Sequence, residues 1–264
     1  MAKSPNAHKA AQEFEKRFPY SHLCSSIRYQ RALSYFDEGK YAQACELFDT
    51  TDKRSLPKNE RPGYNFRRAY CKMRTGNTAS AINIFNGVIS EGNTPYLIPS
   101  HYYCGYLLYA SEEFDKAIPH FEKSRNDSRF ALLSRLHMAE SKFMLKDYNY
   151  VISEGPTLYN EADETSKPKV ARIVSEAYYA LNQTEKARYY FELYSLSGTN
   201  LSRSDNFYAG MIAYTLNNHL AATDAFSKVA GTNDSIGQNA AYHLGQSYIQ
   251  LKNKVAAQKA FKLA

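Results

Sequence analysis

The sequence predicts an all-α protein, a right-handed α-solenoid of tandem helix-turn-helix hairpins. Two spaced series of residues carry this prediction. In the first series a small residue stands four positions before a phenylalanine, as in Ala44/Phe48, Ala81/Phe85, Ala117/Phe121, Ala187/Phe191, Ala222/Phe226 and Ala257/Phe261. Val151 and Gly155 fill the same two positions in a further unit, so that consecutive units begin 34 to 37 residues apart. A unit that recurs at such an interval is typical of stacked helical repeats.

The second series consists of small residues that lie twelve positions before the first series. They are Ala32, Ala69, Gly105, Ala139, Ser175, Gly210 and Gly245. Four residues after each comes a larger apolar side chain, namely Phe36, Met73, Tyr109, Phe143, Tyr179, Tyr214 and Ile249. Because a spacing of four places two side chains on one helical face, each unit is predicted to be a first helix and a second helix joined by a short turn.

The hairpins are expected to stack, because one hairpin cannot bury its own apolar face. At the helix crossings, Gly105 and Ala117 are expected to clear room for neighbouring aromatic rings. We predict a single array over residues 1–264 with no second domain. Its parts are a half repeat at 1–23 and repeats at approximately 24–60, 61–96, 97–130, 131–166, 167–201, 202–236 and 237–264.

The half repeat rests on Ala10 and Phe14, which lie 34 residues before the first Ala/Phe pair, and its helix should stop before Pro19. Within the array, Pro119 interrupts a helical pattern and indicates either a kink or a first turn. After Phe261 no polar capping helix follows, although repeat arrays usually need one. The sequence therefore predicts a fragment of a longer chain, or an end that a partner or a second copy covers.

Composition agrees with a folded protein, since 44% of the residues are hydrophobic and 22% are charged. The longest apolar runs are far shorter than the roughly 20 residues of a membrane-spanning helix. The four cysteines form no CxxC pair and have no histidine at zinc-ligand spacing, so we expect buried thiols rather than metal ligands or disulfides. These residues are Cys24, Cys45, Cys71 and Cys104.

The sequence contains no GxSxG, HExxH, Walker-type loop or dinucleotide-binding signature. Its seven histidines are scattered without metal-ligand spacing, and the carboxylate pair of Glu112 and Glu113 falls in a predicted turn. We therefore expect a non-enzymatic protein that holds neither a metal nor a cofactor.

The repeat resembles the tetratricopeptide repeat (TPR) family, whose unit of about 34 residues has small residues in both helices and a phenylalanine in the second. The resemblance covers nearly the whole chain. Its departures are the missing tryptophan of the family's first helix, a slightly long period, and the weak unit around Val151 and Gly155. The resemblance implies a protein-protein interaction scaffold that presents a concave groove to a peptide or helix of a partner.

In this family, the residue three positions before each small residue of the first helix, and the residue four further along, face the groove. The first row here is Tyr29, Phe66, Tyr102, Leu136, Arg172, Phe207 and Tyr242, and the second row is Leu33, Tyr70, Tyr106, Glu140, Glu176, Met211 and Gln246. The resemblance thus implies a tyrosine-rich groove with contacts from Tyr29, Phe66, Tyr70, Tyr102, Tyr106, Phe207 and Tyr242. Tyrosine suits binding because it is rigid and amphipathic. Ordinary packing between helices is the alternative reading, and the family's chaperone-binding clamp of lysines and asparagines is absent.

The net charge of +7 is concentrated between Lys53 and Ser90, a segment that contains eight basic residues and one acidic residue. Four of the eight lie on one predicted first helix and form a candidate basic patch for an acidic peptide, a phosphate or an anionic membrane surface. They are Arg67, Arg68, Lys72 and Arg74. A solvated helix face is the alternative. Because the rest of the chain sums to zero, we expect no nucleic-acid-binding stripe.

The segment FEKRFPYSHL, residues 14–23, looks like a repeat boundary in bacterial envelope proteins of this family, including outer-membrane assembly lipoproteins and coordinators of the Tol-Pal system. It favours a periplasmic or envelope setting over the cytoplasm, with peripheral association through segments outside this sequence. Two other readings stay open. The chain is then either the accessory array of a larger protein with an enzymatic or regulatory domain, or a self-assembling array that associates through its C-terminal end.

Overall fold

The computed structural model describes residues 5–264, so residues 1–4 of the predicted half repeat lie outside the described part. Over residues 5–264 the chain forms fifteen α-helices and no strand. The first helix, α1 (Pro5–Arg17), ends just before Pro19, as predicted. A single turn of 3₁₀ helix, Lys53–Ser55, follows the third helix.

The other fourteen helices form seven consecutive pairs, which confirms the predicted all-α fold of tandem helical hairpins. The pairs are α2 (Leu23–Asp37) with α3 (Tyr41–Thr50), α4 (Arg61–Arg74) with α5 (Thr78–Glu91), α6 (Leu97–Ala110) with α7 (Phe114–Ser124), α8 (Ala131–Met144) with α9 (Tyr148–Glu161), α10 (Lys167–Ala180) with α11 (Thr184–Ser195), α12 (Arg203–Thr215) with α13 (His219–Ser227), and α14 (Ser235–Gln250) with α15 (Lys254–Phe261).

Each turn within a pair contains one residue with a positive φ. These residues are Gly39, Gly76, Glu112, Lys146, Asn182, Asn217 and Lys252, with φ between 58° and 79°. Each lies seven positions after the small residue of its first helix. Four second helices then begin with an Asn or Asp cap, whose side chain accepts a hydrogen bond from the backbone N–H three residues on. The backbone conformation of the turn therefore depends on its position in the repeat and not on which residue occupies it.

The chain divides into two compact units. The first unit ends at Ser141 and the second begins at Lys142, so the division falls inside α8. The single array over residues 1–264 stays a prediction.

In the first unit, the predicted Ala/Phe pairs form the core. Phe48, Phe85 and Phe121 are fully buried. A Cβ placed on Gly105 would lie 3.0 Å from the ring of Phe121, which confirms the clearance expected at this crossing. The buried hydroxyl of Tyr64 donates to the carbonyl oxygen of Phe48 at 2.7 Å.

The second unit follows the same rule and explains the weak repeat. Phe226 is fully buried, and a Cβ on Gly210 would lie 2.5 Å from its ring. At Gly155, where other units have phenylalanine, a Cβ would lie only 2.2 Å from Cγ2 of Val174. Because Val174 on α10 already fills this space, no larger side chain fits at position 155.

Pro119 is the sixth residue of α7, so it lies in the interior of the helix rather than in its first turn.

All four cysteines are buried and free, as expected. Burial raises the pKa of Cys71 and of Cys104 to about 12, so neither is a thiolate at neutral pH. Among the described residues, no three His, Cys, Asp or Glu side chains are grouped as a metal site requires. Over the same residues, no helix combines the length and apolar character needed to cross a bilayer.

Candidate functional site

The predicted groove residues do not share one environment. Tyr29 and Tyr102 are buried, with 4% and 8% of their surface exposed. Tyr29 packs near Phe48 and Tyr64, with ring centroids 6.2 and 6.1 Å away, and Tyr102 stacks on Phe130 at 4.6 Å. A side chain that the fold already covers offers no surface to a partner. We therefore correct the predicted groove by assigning both tyrosines to packing between helices.

The other predicted groove residues remain accessible. Phe66, Tyr70 and Phe207 are half-buried, whereas Tyr106 and Tyr242 are 40% and 49% exposed. All five lie on the first helix of their pair. Phe66 and Tyr70 lie together, with ring centroids 6.5 Å apart. The first unit thus offers a pair of adjacent, partly exposed rings on α4.

Tyr70 and the four aromatic side chains whose rings lie next to it form a set, which we call the aromatic surface. They are Phe36 on α2, Tyr41 on α3, Phe66 and Tyr70 on α4, and Tyr103 on α6. The rings of Phe36, Tyr41 and Tyr103 lie 5.6, 5.5 and 5.1 Å from that of Tyr70, at edge-to-face angles that aromatic pairs prefer. All five rings are half-buried, so each keeps part of its surface in solvent.

Arg74 lies against this aromatic surface. Its Cζ is 4.6 Å from the ring centroid of Tyr41 and 5.9 Å from that of Tyr70, and its Nη1 donates to the Tyr70 hydroxyl at 3.3 Å. A guanidinium over the face of a tyrosine is attracted by the electrons of the ring. Arg74 is itself exposed. The cation is therefore held in place while one side of it stays open to a partner.

Arg67 borders the same surface at its other end. Its Cζ lies 6.0 Å from the ring centroid of Phe36 and 5.7 Å from that of Tyr96, and the Tyr96 hydroxyl accepts from Nη1 at 3.4 Å. Among the described residues, neither Arg67 nor Arg74 forms an ion pair with a carboxylate. Each guanidinium is thus positioned by aromatic rings and one tyrosine hydroxyl.

The other two members of the predicted basic patch have a different partner. Arg68 Nε donates to Asp49 on α3 at 2.7 Å, and Lys72 donates to the other oxygen of the same carboxylate. Burial opposes the ionisation of Asp49, but the hydrogen bonds from Lys72 and Arg68 outweigh it and lower the pKa of the carboxyl. The predicted single patch is therefore corrected to two faces of α4. One face holds Arg67 and Arg74, and on the other Arg68 and Lys72 share the single carboxylate of Asp49, which offsets one of their two charges.

Sequence reasoning missed Tyr41 and Tyr103 as members of the site and treated Phe36 only as a packing residue. Tyr41 is the first residue of a second helix, and Tyr103 lies one position after the predicted groove residue Tyr102. The sequence carries no signal for these two residues. Their common neighbour is Tyr70, and this becomes apparent only when three successive helix pairs pack together.

The second unit contains a polar cavity of about 400 Å³ beside Phe207. Arg172 and Glu176 line it and pair with each other at 2.9 Å. Burial raises the pKa of Glu176, and the charge of Arg172 opposes this shift. Asp205, at the start of α12, accepts a hydrogen bond from Tyr194 at 3.1 Å. Because these charged groups already satisfy one another, the cavity is a weaker candidate than the aromatic surface.

The last helix pair leaves an apolar cavity of about 770 Å³, lined by Ile249, Ala257 and Phe261 among others. Ile249 is 48% exposed, and Val255 nearby in sequence is 68% exposed. This is the end at which the sequence predicted that a partner or a second copy covers the array.

Comparison with known proteins adds to this geometry. No protein-family model matches the chain, and no curated protein matches it either. Among solved structures, the C-terminal part of a TPR repeat-containing protein from Cytophaga hutchinsonii is similar, with a TM-score of 0.64 and 18% identity over 89% of this chain and 93% of that one. The chain has the tetratricopeptide-repeat fold. In this tetratricopeptide-repeat chain, the aromatic surface draws on the first helices of three successive pairs.

Two other solved structures are similar at lower scores. A structure of MamA matches with a TM-score of 0.56 and 14% identity, covering 66% of this chain and 97% of that one. PilW, described as a widely conserved type IV pilus biogenesis factor, matches with a TM-score of 0.53 and 17% identity, covering 81% and 97%. At these identities the likeness concerns the tetratricopeptide-repeat fold alone.

Proposed function

We propose that this tetratricopeptide-repeat chain is a non-enzymatic protein-binding scaffold, whose first unit holds a peptide or helix of a partner against the aromatic surface. One observation carries the proposal. Half-buried rings from α2, α3, α4 and α6 meet around Tyr70, and two arginines without carboxylate partners border them.

The physical argument is that tyrosine and arginine are enriched among the residues that contribute most to binding at protein interfaces. A tyrosine gives a large contact area with few rotatable bonds, so little side-chain entropy is lost on binding. Its neighbours restrict Tyr70 further, since four rings and the Arg74 guanidinium lie against it. A surface ordered before binding loses less freedom on association.

The predicted envelope setting stays a prediction. PilW is described as a type IV pilus biogenesis factor, which agrees with such a setting, but its likeness to this chain is one of fold. The accessory-array reading is compatible with the same surface, since a binding unit can serve a larger protein.

Self-association is a second candidate function, favoured by the apolar cavity at the last helix pair. The exposed apolar side chain of Ile249, which lines this cavity, would be covered by a second copy.

The first prediction tests the aromatic surface by selection from a library of displayed random peptides. Peptides enriched on the native protein should lose most of their affinity for Tyr70→Ala, because this change removes the centre of the surface. Tyr189→Ala is the matched control, since Tyr189 is 56% exposed and lies on α11 in the other unit. Affinities are measured by fluorescence polarisation, with folding checked by circular dichroism.

The proposal predicts a loss for Tyr70→Ala and none for Tyr189→Ala. Equal affinity of the native protein and a folded Tyr70→Ala variant for every selected peptide would contradict it.

A further inference from the structure

We infer that the aromatic surface selects an acidic partner segment, in which two carboxylates contact Arg67 and Arg74 while apolar side chains between them pack on the rings. This inference rests on the proposed function and adds the chemistry of the partner. It concerns carboxylates within a segment, not a chain terminus.

The first step of the argument is charge. Within Lys53–Ser90, four basic residues are already ion-paired. Lys53 pairs with Glu91 at 2.8 Å, Arg54 with Asp52 at 3.4 Å, and Arg68 and Lys72 with Asp49. Among the described residues, Arg67 and Arg74 form no ion pair, and their hydrogen bonds go to tyrosine hydroxyls while their guanidiniums lie near aromatic rings. A cation held on a ring and lacking a counter-ion gives a charge-assisted hydrogen bond to an incoming carboxylate.

The second step is what lies between the two arginines. The ring of Phe36 is near Arg67, the ring of Tyr41 is near Arg74, and these two rings lie 5.6 Å apart. Tyr70 contacts both rings. The cations therefore stand at opposite ends of one continuous apolar area. This arrangement suits a segment whose acidic residues flank apolar ones.

The third step is spacing. Arg67 and Arg74 lie seven residues apart on α4, which corresponds to about 10.5 Å along the helix axis. An extended segment in the polyproline II conformation repeats its side-chain direction every three residues, over about 9.3 Å. Two acidic residues three positions apart would thus reach both guanidiniums from one edge of the segment, and an apolar residue between them would reach the rings from an adjacent edge.

Arg67 and Arg74, at the two ends of the aromatic surface, have different surroundings. A cavity of about 280 Å³ beside Arg67 is also lined by Glu60, which forms no ion pair with this arginine among the described residues. A carboxylate near Arg67 meets repulsion from Glu60, whereas the contacts around Arg74 are tyrosines. We therefore expect Arg74 to contribute more to binding than Arg67 does.

The test uses an acetylated and amidated fluorescent peptide in which two glutamates lie three residues apart with phenylalanine and valine between them. Blocking both ends removes the terminal carboxylate. Arg67→Gln/Arg74→Gln should weaken binding by at least about tenfold, since hydrogen bonds to charged groups are strong. Arg54→Gln/Lys58→Gln is the control, because it removes the same charge from exposed positions of the same basic segment. Replacing both glutamates of the peptide by glutamine should reproduce the loss.

Several outcomes would overturn the inference. An equal loss in both double variants would show that net charge alone attracts the peptide. Unchanged binding of the glutamine peptide, or no binding of the glutamate peptide while library peptides bind, would remove the role of carboxylates. If Tyr70→Ala abolishes binding of selected peptides but Arg67→Gln/Arg74→Gln does not, the acidic specificity is wrong while the proposed function stands.

Discussion

At the scale of single residues, one position in each turn decides how the chain reverses direction. Gly39 and Gly76 occupy it with a backbone that glycine adopts freely, whereas Glu112 and Lys146 hold a Cβ in the left-handed region. A Cβ on Gly39 would meet no atom within 4 Å, so space does not explain the choice. The turns share one backbone conformation and differ in the cost that a Cβ adds to it.

Exchanging residues at this position should change stability in opposite directions. Glu112→Gly should raise the free energy of unfolding by about 0.5–1 kcal/mol, because relief of left-handed strain exceeds the added freedom of the unfolded chain. Gly39→Ala should lower it by about 1 kcal/mol for the converse reason. Chemical denaturation measures both. Changes of the same sign would contradict this account.

The residue scale also shows what the sequence could not predict about the site. Tyr29 and Tyr102 occupy the same repeat position as Phe66, yet they are buried and Phe66 is half-buried. Tyr64 packs against Tyr29 and Phe130 stacks on Tyr102, whereas Phe66 stays half-buried although Tyr96 stacks on it. Periodicity within one helix predicts which face a residue lies on, but it does not predict which neighbouring side chain covers it.

At the scale of helices, the contact between α6 and α7 holds a histidine pair. Nδ1 of His101 lies 3.2 Å from Nδ1 of His120, and Nε2 of His120 lies 3.8 Å from the thiol of Cys104. Burial, together with the charges of His120 and Lys123, lowers the pKa of His101 to about 4. Burial also lowers the pKa of His120. One proton can be shared between the two Nδ1 atoms, whereas two protons would repel.

This pair should make the stability of the protein depend on pH. A histidine whose folded pKa is about 4 takes up protons more readily when unfolded, so stability falls as the pH falls from about 6.5 towards 4. Between pH 7 and pH 5 we expect a loss of roughly 1–2 kcal/mol from this group. Urea denaturation at both pH values measures it. His101→Gln should reduce the loss, and His22→Gln, at an exposed position, should not.

The helices could be predicted from the sequence because each helix crossing needs a small residue where a large side chain of the other helix approaches. Gly105 and Gly210 lie where Phe121 and Phe226 approach, and the spacing of sixteen residues between the members of each pair was visible in the sequence. The weak unit was visible too, but its cause was not. Val174 occupies the space beside Gly155 from the following helix pair, and such a compensation leaves no periodic signal.

At the scale of the whole molecule, the net charge of +7 does not show which cations lack a carboxylate partner and can bind one from another protein. The basic residues that produce it lie between Lys53 and Ser90, but several are paired with Asp49, Asp52 and Glu91. Within Lys53–Ser90, Arg67 and Arg74 have no carboxylate partner among the described residues, and both lie near aromatic rings. Partner selection should therefore follow these two residues rather than the isoelectric point.

Self-association through the last helix pair should appear as a mass that rises with protein concentration in light scattering. Ile249→Glu should keep the protein monomeric, because Ile249 lines the apolar cavity and is 48% exposed, so a charge would then face it. Leu220→Glu is the control, since Leu220 is 73% exposed and lies on α13. A native mass that stays monomeric at every concentration, or an equal effect of both substitutions, would rule out this role for the C-terminal end.

The tyrosine-rich surface also has a spectroscopic consequence. The chain contains 23 tyrosines and no tryptophan, so its ultraviolet emission is that of tyrosine alone. A partner segment that carries one tryptophan and lies against Tyr70 would take up excitation energy from Tyr41, Tyr70 and Tyr103 and emit at longer wavelength. Occupation of this surface can therefore be followed without attaching a dye to either molecule.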